Sequence, residues 1–360
     1  MQDPKHQYFR ERLMAWFAQS HRPLPWKGEK DPYLIWLSEV ILQQTRVEQG
    51  LPYFERFRQQ YPTVHQLAEA PEDEVMKLWE GLGYYSRARN LHAAARYIAR
   101  ELGGSFPDTY DAIRRLKGVG PYTAAAIASF AFGLPYAVVD GNVFRVLSRF
   151  FGIDSPVDTA AGKKIFSSLA QELLDPRQPG PYNQAIMDFG ATHCTPKAPS
   201  CPTCPLRGAC TALREQKVEA LPVKSKKNEK RHRFFHYLVV SHGGKSLLNK
   251  RTGKDIWRNL YEFPVLELPH ASRNEEEIRK NALWRQLFNG QEAVVNCISQ
   301  PYQQMLTHQK ITASFWEVGL PPGASLNSGP FLAVDRKNLS KFAFPKIISR
   351  YLNQDQLTLF

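Results

Sequence analysis

The sequence predicts a multidomain chain, with an all-α region over residues 1–211 followed by a smaller α/β domain over residues 233–360. Three observations carry this reading. Apolar residues recur at three- and four-residue spacing through the first 210 residues, as on amphipathic helices. After Cys210 the composition turns basic: Lys224, Lys226, Lys227, Lys230, Arg231 and Arg233 crowd ten residues against Glu229 alone. Such a run reads as a solvated linker, here over 212–232, or as a stretch that lies along phosphates. From Arg233 onward, short runs of β-branched and aromatic residues replace the helical spacing. With 360 residues, each part is long enough to bury a core of its own.

In the first region, Glu74–Trp79 and Ala88–Arg100 are the clearest helical segments. Glycine and proline break the pattern at Gly81–Gly83, Gly103–Gly104, Gly118–Pro121 and Gly133–Pro135. In the second, FFHYLVVS, KSLLNKR, AVVNCIS and ITASFWEVGL read as strands, with helices near Glu275–Phe288 and Phe344–Asn353. Cys297 falls in the third of these runs and reads as a buried strand residue rather than a ligand. No internal repeat stands out, and no apolar run reaches the roughly 18 residues that would span a bilayer. The start, MQDPKHQYFRERLMAWF, has no signal-peptide pattern, so a reducing bacterial cytoplasm is the expected compartment, with no membrane partner.

Hydrophobic content of 43% with 12% aromatic is ordinary for a globular protein. The formal charge of +13 is more informative. Lysine and arginine in such excess suit a polyanion, because each phosphate contact releases counterions. Charge alone leaves open whether this is nucleic acid or merely a basic surface.

Four of the five cysteines stand in one stretch, Cys194-x6-Cys201-x2-Cys204-x5-Cys210. Two thiolates separated by two residues can reach one metal centre. Structural zinc usually takes two such short pairs across a longer insert, whereas here there is one pair with two outliers. That spacing fits a [4Fe–4S] cluster ligated by Cys194, Cys201, Cys204 and Cys210 better.

Leu116-Lys117-Gly118-Val119-Gly120-Pro121-Tyr122 joins two helical patterns. Gly118 and Gly120 permit a tight turn, and Pro121 suits the first position of the next helix. Backbone amides at that helix start form a seat for phosphate, although an ordinary glycine-containing turn has the same look. Two carboxylates complete the chemistry. Glu39 shares a helix face with Ile35, Trp36 and Leu42, where burial would raise its pKa toward that of a general acid. Asp140 follows the apolar run Ala137–Val139 and precedes a helix, so the helix dipole would keep it ionised, unless it is simply an N-cap. A neutral acid beside an anion is the pair that glycosidic-bond cleavage needs.

With these motifs in order, the chain resembles the MutY adenine DNA glycosylases of the endonuclease III-like helix-hairpin-helix superfamily. The motifs that carry the resemblance are WLSEVILQQT around Glu39, GLGYYSRARNL at 81–91, LKGVGPYTAAAI, VVDGNVFRVLSR and the four-cysteine loop. It covers nearly all of residues 1–223 and continues more weakly into a MutT-like, Nudix-fold module. It implies hydrolytic removal of adenine mispaired with 8-oxoguanine or guanine in double-stranded DNA, by a monomer, as a step of base-excision repair. By this likeness Glu39 protonates the adenine and then activates water, Asp140 stabilises the cationic sugar, and Tyr122 and Asn142 join them. Gln44, Thr45, Leu82 and Tyr84, with Gly83 and Arg87, correspond to residues that meet the duplex around the lesion. Gly118, Gly120 and Tyr122 belong to the hairpin grip, and Trp26 and Lys27 match positions lining the adenine pocket. The family commonly has arginine where Lys27 stands. Bifunctional relatives carry a lysine at the position of Tyr122, so a tyrosine there implies a monofunctional enzyme.

The C-terminal part departs from the family pattern. Glu275-Glu276-Glu277 is wrongly spaced for a metal-binding Nudix helix, which argues against pyrophosphatase activity. The lesion-reading loop, typically Phe-Ser-His, aligns with Leu306-Thr307-His308. Two rival readings remain, a non-catalytic iron–sulfur protein that binds DNA as a redox sensor and a nucleotide-pool hydrolase. The presence of both Glu39 and Asp140 favours the enzyme that acts on DNA.

Overall fold

A computed structural model describes residues 3–20, 22–225, 229–321, 323–324 and 329–355. The chain divides into two compact units, Met1–Glu69 with Asn90–Lys227, and Ala70–Arg89 with Asn228–Phe360.

The helices before the cysteine loop are α1 (Pro4–Gln19), α2 (Pro32–Leu42), α3 (Val47–Gln60), α4 (Val64–Glu69), α5 (Glu72–Leu78), α6 (Ser86–Glu101), α7 (Tyr110–Arg115), α8 (Pro121–Phe132), α9 (Gly141–Phe151), α10 (Ala160–Leu173) and α11 (Pro179–Thr192). Past that loop lies the single turn α12 (Thr211–Arg214). Caps written in the sequence set the boundaries that matter for the site. Asp31 accepts the Tyr33 amide at 2.8 Å and Pro32 occupies the first turn of α2. Gly120 caps α8 ahead of Pro121, and Gly133, at φ 64°, ends it in the left-handed conformation. Helix α9 buries Val143, Val146, Leu147 and Phe150, a stripe at helical spacing, in the first unit's core with Phe166, Tyr182 and Phe189.

The second unit holds a sheet in the order β4 (Val265–Leu268), β1 (Arg231–Ser241), β7 (Gln309–Gly319) and β5 (Val294–Ile298), with β6 (Tyr302–Met305) also paired to β7. A three-stranded sheet runs β3 (Tyr261–Glu262), β2 (Lys245–Lys250), β8 (Leu332–Asp335). Strands β1 and β7 are parallel, and both are almost continuously buried because helices and loops cover the sheet. The helices here are α13 (Glu275–Arg279), α14 (Ala282–Phe288) and α15 (Lys346–Asp355). The segment Ala70–Arg89 is tied into this unit by side-chain carboxylates. Glu80 accepts the Phe344 amide at 3.2 Å and the Ser349 hydroxyl at 2.7 Å, while Asp73 meets Lys250 at 2.6 Å and Tyr261 at 2.9 Å.

Several expectations need correction. The helix read near Glu275–Phe288 is two helices, because Asn281 accepts the Leu283 amide and starts a new cap. Cys297 is in a strand but exposed, since a bulge between Val295 and Cys297 shifts the alternation by one residue. Arg231 and His232, read as the end of the linker, already belong to β1, and the next residue, Arg233, is buried there and pairs with Asp255 and Glu267 at 2.8 and 2.6 Å. Part of the basic run is also anchored, with the Ser225 amide and hydroxyl donating to Asp158. Lys226 and Lys227 lie outside the described residues. Among the described residues, no helix is long and apolar enough to cross a membrane.

Candidate active site

Helices α2, α8 and the start of α9 bring Glu39, Tyr122 and Asp140 together. Glu39 is only 6% exposed, which excludes a side chain that reaches for solvent. Its carboxyl is pushed up to about 7, first by burial and then by the charge of Asp140, against a hydrogen bond with Tyr122 that pulls the other way. Burial, followed by the two carboxylates, raises the Tyr122 hydroxyl well above its usual range.

Asp140 caps α9, accepting the Asn142 and Val143 amides at 2.9 and 2.8 Å. Its place at the helix start gives the ionised form the support of the dipole. Burial moves its carboxyl upward from the ordinary value, and the cap amides, the Asn142 side chain and Arg145 partly offset that shift. The two acids thus differ in their support: Glu39 has one hydroxyl partner, whereas Asp140 has two amides, an amide side chain and a nearby guanidinium.

Asn142 is a bridge. Its Nδ2 donates to Asp140 Oδ2 at 2.8 Å, and its Oδ1 accepts from Arg145 at 2.7 Å. Arg145 also donates to the carbonyls of Gly190 at 2.6 Å and Cys194 at 2.8 Å. Helices α9 and α11 can approach this closely because of Gly190, where a Cβ would stand 2.6 Å from the Asn142 Cβ. Gly190→Ala is therefore expected to cost about 1–3 kcal/mol by overpacking. Urea unfolding measures this, with a lower midpoint expected at unchanged slope.

A cavity of about 220 Å³ opens beside Glu39, with Trp26, Lys27, Ile35, Phe130 and Gln184 among its walls. Trp26 is steadied edge-on by Phe54, at 5.3 Å between ring centres. The Lys27 ammonium is held by Asp188 at 2.6 Å, whose other oxygen pairs with Arg22 at 3.0 Å. Asp188 is 2% exposed and one helical turn beyond Gln184. Nothing in the sequence marks it: it is one acid in an otherwise uncharged helix, without a motif around it.

The four cysteines lie on the loop after α11, with short 3₁₀ turns at Cys201–Thr203 and Arg207–Ala209. All four are half-buried. Burial first, and then the neighbouring cysteines, push up the thiols of Cys201, Cys204 and Cys210, that of Cys204 to about 11. Arg149 donates to Cys194 Sγ at 3.4 Å and to the Thr195 carbonyl at 2.7 Å. Among the described residues, no three His, Cys, Asp or Glu side chains converge tightly enough to hold a metal ion. The donor set still fits a thiolate-bound cluster: four soft sulfurs on one loop repel each other when ionised, and a cationic centre relieves that.

The turn between α7 and α8 has Gly118 at φ 82°, with Asn90 so close that a Cβ would clash at 2.6 Å. Gly120 is extended, and no side chain caps the first amides of α8. Two other sequence-selected residues have left-handed backbones despite carrying side chains, Gln44 at φ 56° and Tyr84 at φ 48°. Gln44 is exposed and Thr45 half-buried. Within the second unit, Tyr84 is 48% exposed but Leu82 is buried at 5%, so the pair expected at the duplex is not equally presented. Gly83 is left-handed at φ 80°. Arg87 is turned inward: it is buried, 5.1 Å over the Trp79 ring, and donates to the Gly83 carbonyl at 3.3 Å. Leu306-Thr307-His308 is the turn between β6 and β7, with Thr307 and His308 exposed and Leu306 half-buried. The Tyr84 hydroxyl lies 3.1 Å from Thr307 Oγ1.

Comparison with known proteins also finds two parts, with bounds that differ from those of the two compact units. Residues 37–172 match the HhH-GPD superfamily base excision DNA repair protein family, and residues 210–354 match the NUDIX domain family. The chain is 35% identical to an adenine DNA glycosylase of Buchnera aphidicola over 75% of each sequence. It is 45% identical to the Homo sapiens adenine DNA glycosylase, over 59% of this chain but 41% of that protein. Among solved structures, a thermostable thymine-DNA glycosylase superposes with a TM-score of 0.55 and 30% identity, over 59% of this chain and 97% of that one. The chain belongs to the adenine DNA glycosylase family, hydrolases of N-glycosyl bonds, with a helix-hairpin-helix base-excision domain followed by a Nudix-type domain.

Proposed function

We propose that this enzyme removes adenine mispaired with 8-oxoguanine or guanine in duplex DNA, and that it does so without cutting the strand. The observation that carries this reading is Glu39: a buried carboxyl, protonated near neutral pH, on the wall of a cavity and electrostatically coupled to Asp140. A base inside a duplex cannot reach such a group, so the adenine must first be turned out of the stack into the cavity. Glu39 then gives its proton to N7 of the base. The C1′–N9 bond breaks, the electron pair leaves with adenine, and the sugar becomes an oxocarbenium ion that the Asp140 carboxylate stabilises. Water adds to C1′, and the Glu39 carboxylate takes up its proton, which restores the acid. Asn142, tied to Arg145, holds Asp140 in place.

Tyr122 has no amine and so forms no imine with the sugar, which makes the reaction end at an abasic site. The exposed, strained Gln44 and Tyr84 suit residues that enter the duplex as the base leaves it. The phosphate backbone would seat at the open amides at the start of α8. The direct test is a duplex with one adenine opposite 8-oxoguanine. Free adenine should appear, with strand scission only after added alkali. Scission without alkali, or a borohydride-trapped protein–DNA adduct, would refute the monofunctional reading.

The cysteine loop is proposed to bind a [4Fe–4S] cluster that holds the loop in shape and supports the grip on DNA. Cys194→Ser should remove the visible absorbance of an iron–sulfur centre and lower the soluble yield. One zinc and no iron in anaerobically purified protein would contradict the cluster.

Thr307 is proposed to read the oxidised base. 8-Oxoguanine carries a hydrogen on N7 that guanine lacks, and a hydroxyl oxygen can accept it. Thr307→Val keeps the shape and removes the hydroxyl, so it should reduce the preference for 8-oxoguanine over guanine by about 1–3 kcal/mol. The check is the ratio of dissociation constants for the two duplexes at one fixed salt concentration. Base release from bound substrate should change little.

A further inference from the structure

Apart from the cavity beside Glu39, the second unit contains a cleft of about 710 Å³ with a marked charge imbalance. Lys77, Arg336, Lys337, Lys346 and Arg350 line it against a single carboxylate, that of Glu80. Glu80 pairs with Lys77 and also accepts the Phe344 amide and the Ser349 hydroxyl, which leaves the other four cations facing the cleft without a carboxylate in its lining. Three of the cations are also held in place. Lys77 donates to the Phe342 carbonyl at 2.9 Å, Arg350 to the Gln303 carbonyl at 3.1 Å, and Arg336 to the Ser241 hydroxyl at 3.2 Å. Lys337 and Lys346, both exposed, have no carboxylate within ion-pair distance among the described residues. Like charges gathered around a concave surface focus the field and attract a multivalent anion, which offsets their mutual repulsion. The cleft belongs neither to the Glu39 cavity nor to the Leu306–His308 turn, and cleavage of the glycosidic bond makes no use of it.

We propose that this cleft is a second phosphate-binding site, which takes the phosphates either of a DNA backbone or of a free nucleotide. The variant that tests it is Lys337→Ala/Lys346→Ala in the full chain. The control is Lys163→Ala/Lys164→Ala, which removes the same charge from the exposed surface of α10. The first probe is inorganic pyrophosphate, followed by calorimetry: wild type and control should bind it, and the cleft variant should bind at least about tenfold more weakly, a loss of about 1.4 kcal/mol.

The second measurement separates the two sources of phosphate. The affinity for an undamaged duplex is followed against salt for all three proteins. If the cleft holds backbone phosphates, the slope of log K against log salt should become shallower by about 0.9 for each phosphate no longer neutralised, in the cleft variant alone. An unchanged slope with abolished pyrophosphate binding assigns the site to a free nucleotide. If the cleft variant matches the control in both measurements, the proposal is overturned. Single-turnover adenine release at saturating DNA should be normal in the cleft variant, so failure of the cleft is distinct from failure of the glycosylase reading.

Discussion

Glu39→Gln is expected to slow adenine release by about 10²–10⁴-fold under single-turnover conditions while mismatch binding is retained, because the amide cannot deliver a proton. The same substitution should make the protein more stable above neutral pH. Burial moves the Glu39 carboxyl from 4.5 to about 7. At about 1.4 kcal/mol per pH unit, that difference is worth about 3 kcal/mol. Below about pH 4.5 the group is protonated in both folded and unfolded chains and costs the fold nothing. As pH rises through about 7, the unfolded chain has already released the proton, and the folded one must hold it or bury a charge. The stability advantage of Glu39→Gln over wild type should therefore be absent near pH 4 and grow to its full size by about pH 8. Chemical denaturation at the two pH values measures it. A variant that was slow but no more stable at high pH would mean that burial does not hold a proton on Glu39.

The second large effect is expected at Asp140. Asp140→Asn keeps the size, and its amide oxygen can still accept the Asn142 and Val143 amides, although the bond from Asn142 Nδ2 is lost. It removes the negative charge that we propose stabilises the oxocarbenium ion. Loss of one electrostatic stabiliser of this kind typically costs about 10²–10³ in rate. Adenine release should fall by at least that much, with little change in mismatch affinity. Wild-type single-turnover rates in this variant would remove Asp140 from the mechanism.

What the sequence made legible was local. The face that Glu39 shares with Ile35 and Trp36, the proline at the start of α8 and the cap position of Asp140 are each written within a few neighbouring residues. The long, apolar strands β1 and β7 were readable for the same reason. Strands β3, β4, β6 and β8, of two to four residues, carry too few positions for any period to show. The bulge that exposes Cys297 depends on pairing with β7, which no single strand encodes. Asp188, Arg145 and Gly190 matter through partners far away in sequence, at Lys27, Arg22, Cys194 and Asn142. The attachment of Ala70–Arg89 to the second unit has the same origin, since Glu80 and Asp73 find their partners at Ser349 and Lys250. At Asp140 the helix position was visible in the sequence, whereas the burial that works against the dipole was not.

The most direct test of the central claim is an infrared titration of the carboxyl groups, taken as wild type minus Glu39→Gln. The difference should contain a protonated carboxylic acid band that persists below neutrality and disappears with a midpoint near 7, the value to which burial pushes Glu39. A band that titrates instead near 4.5, the ordinary value for a glutamate, would show that the pocket does not keep a proton on Glu39, and the assignment of the general acid would be wrong.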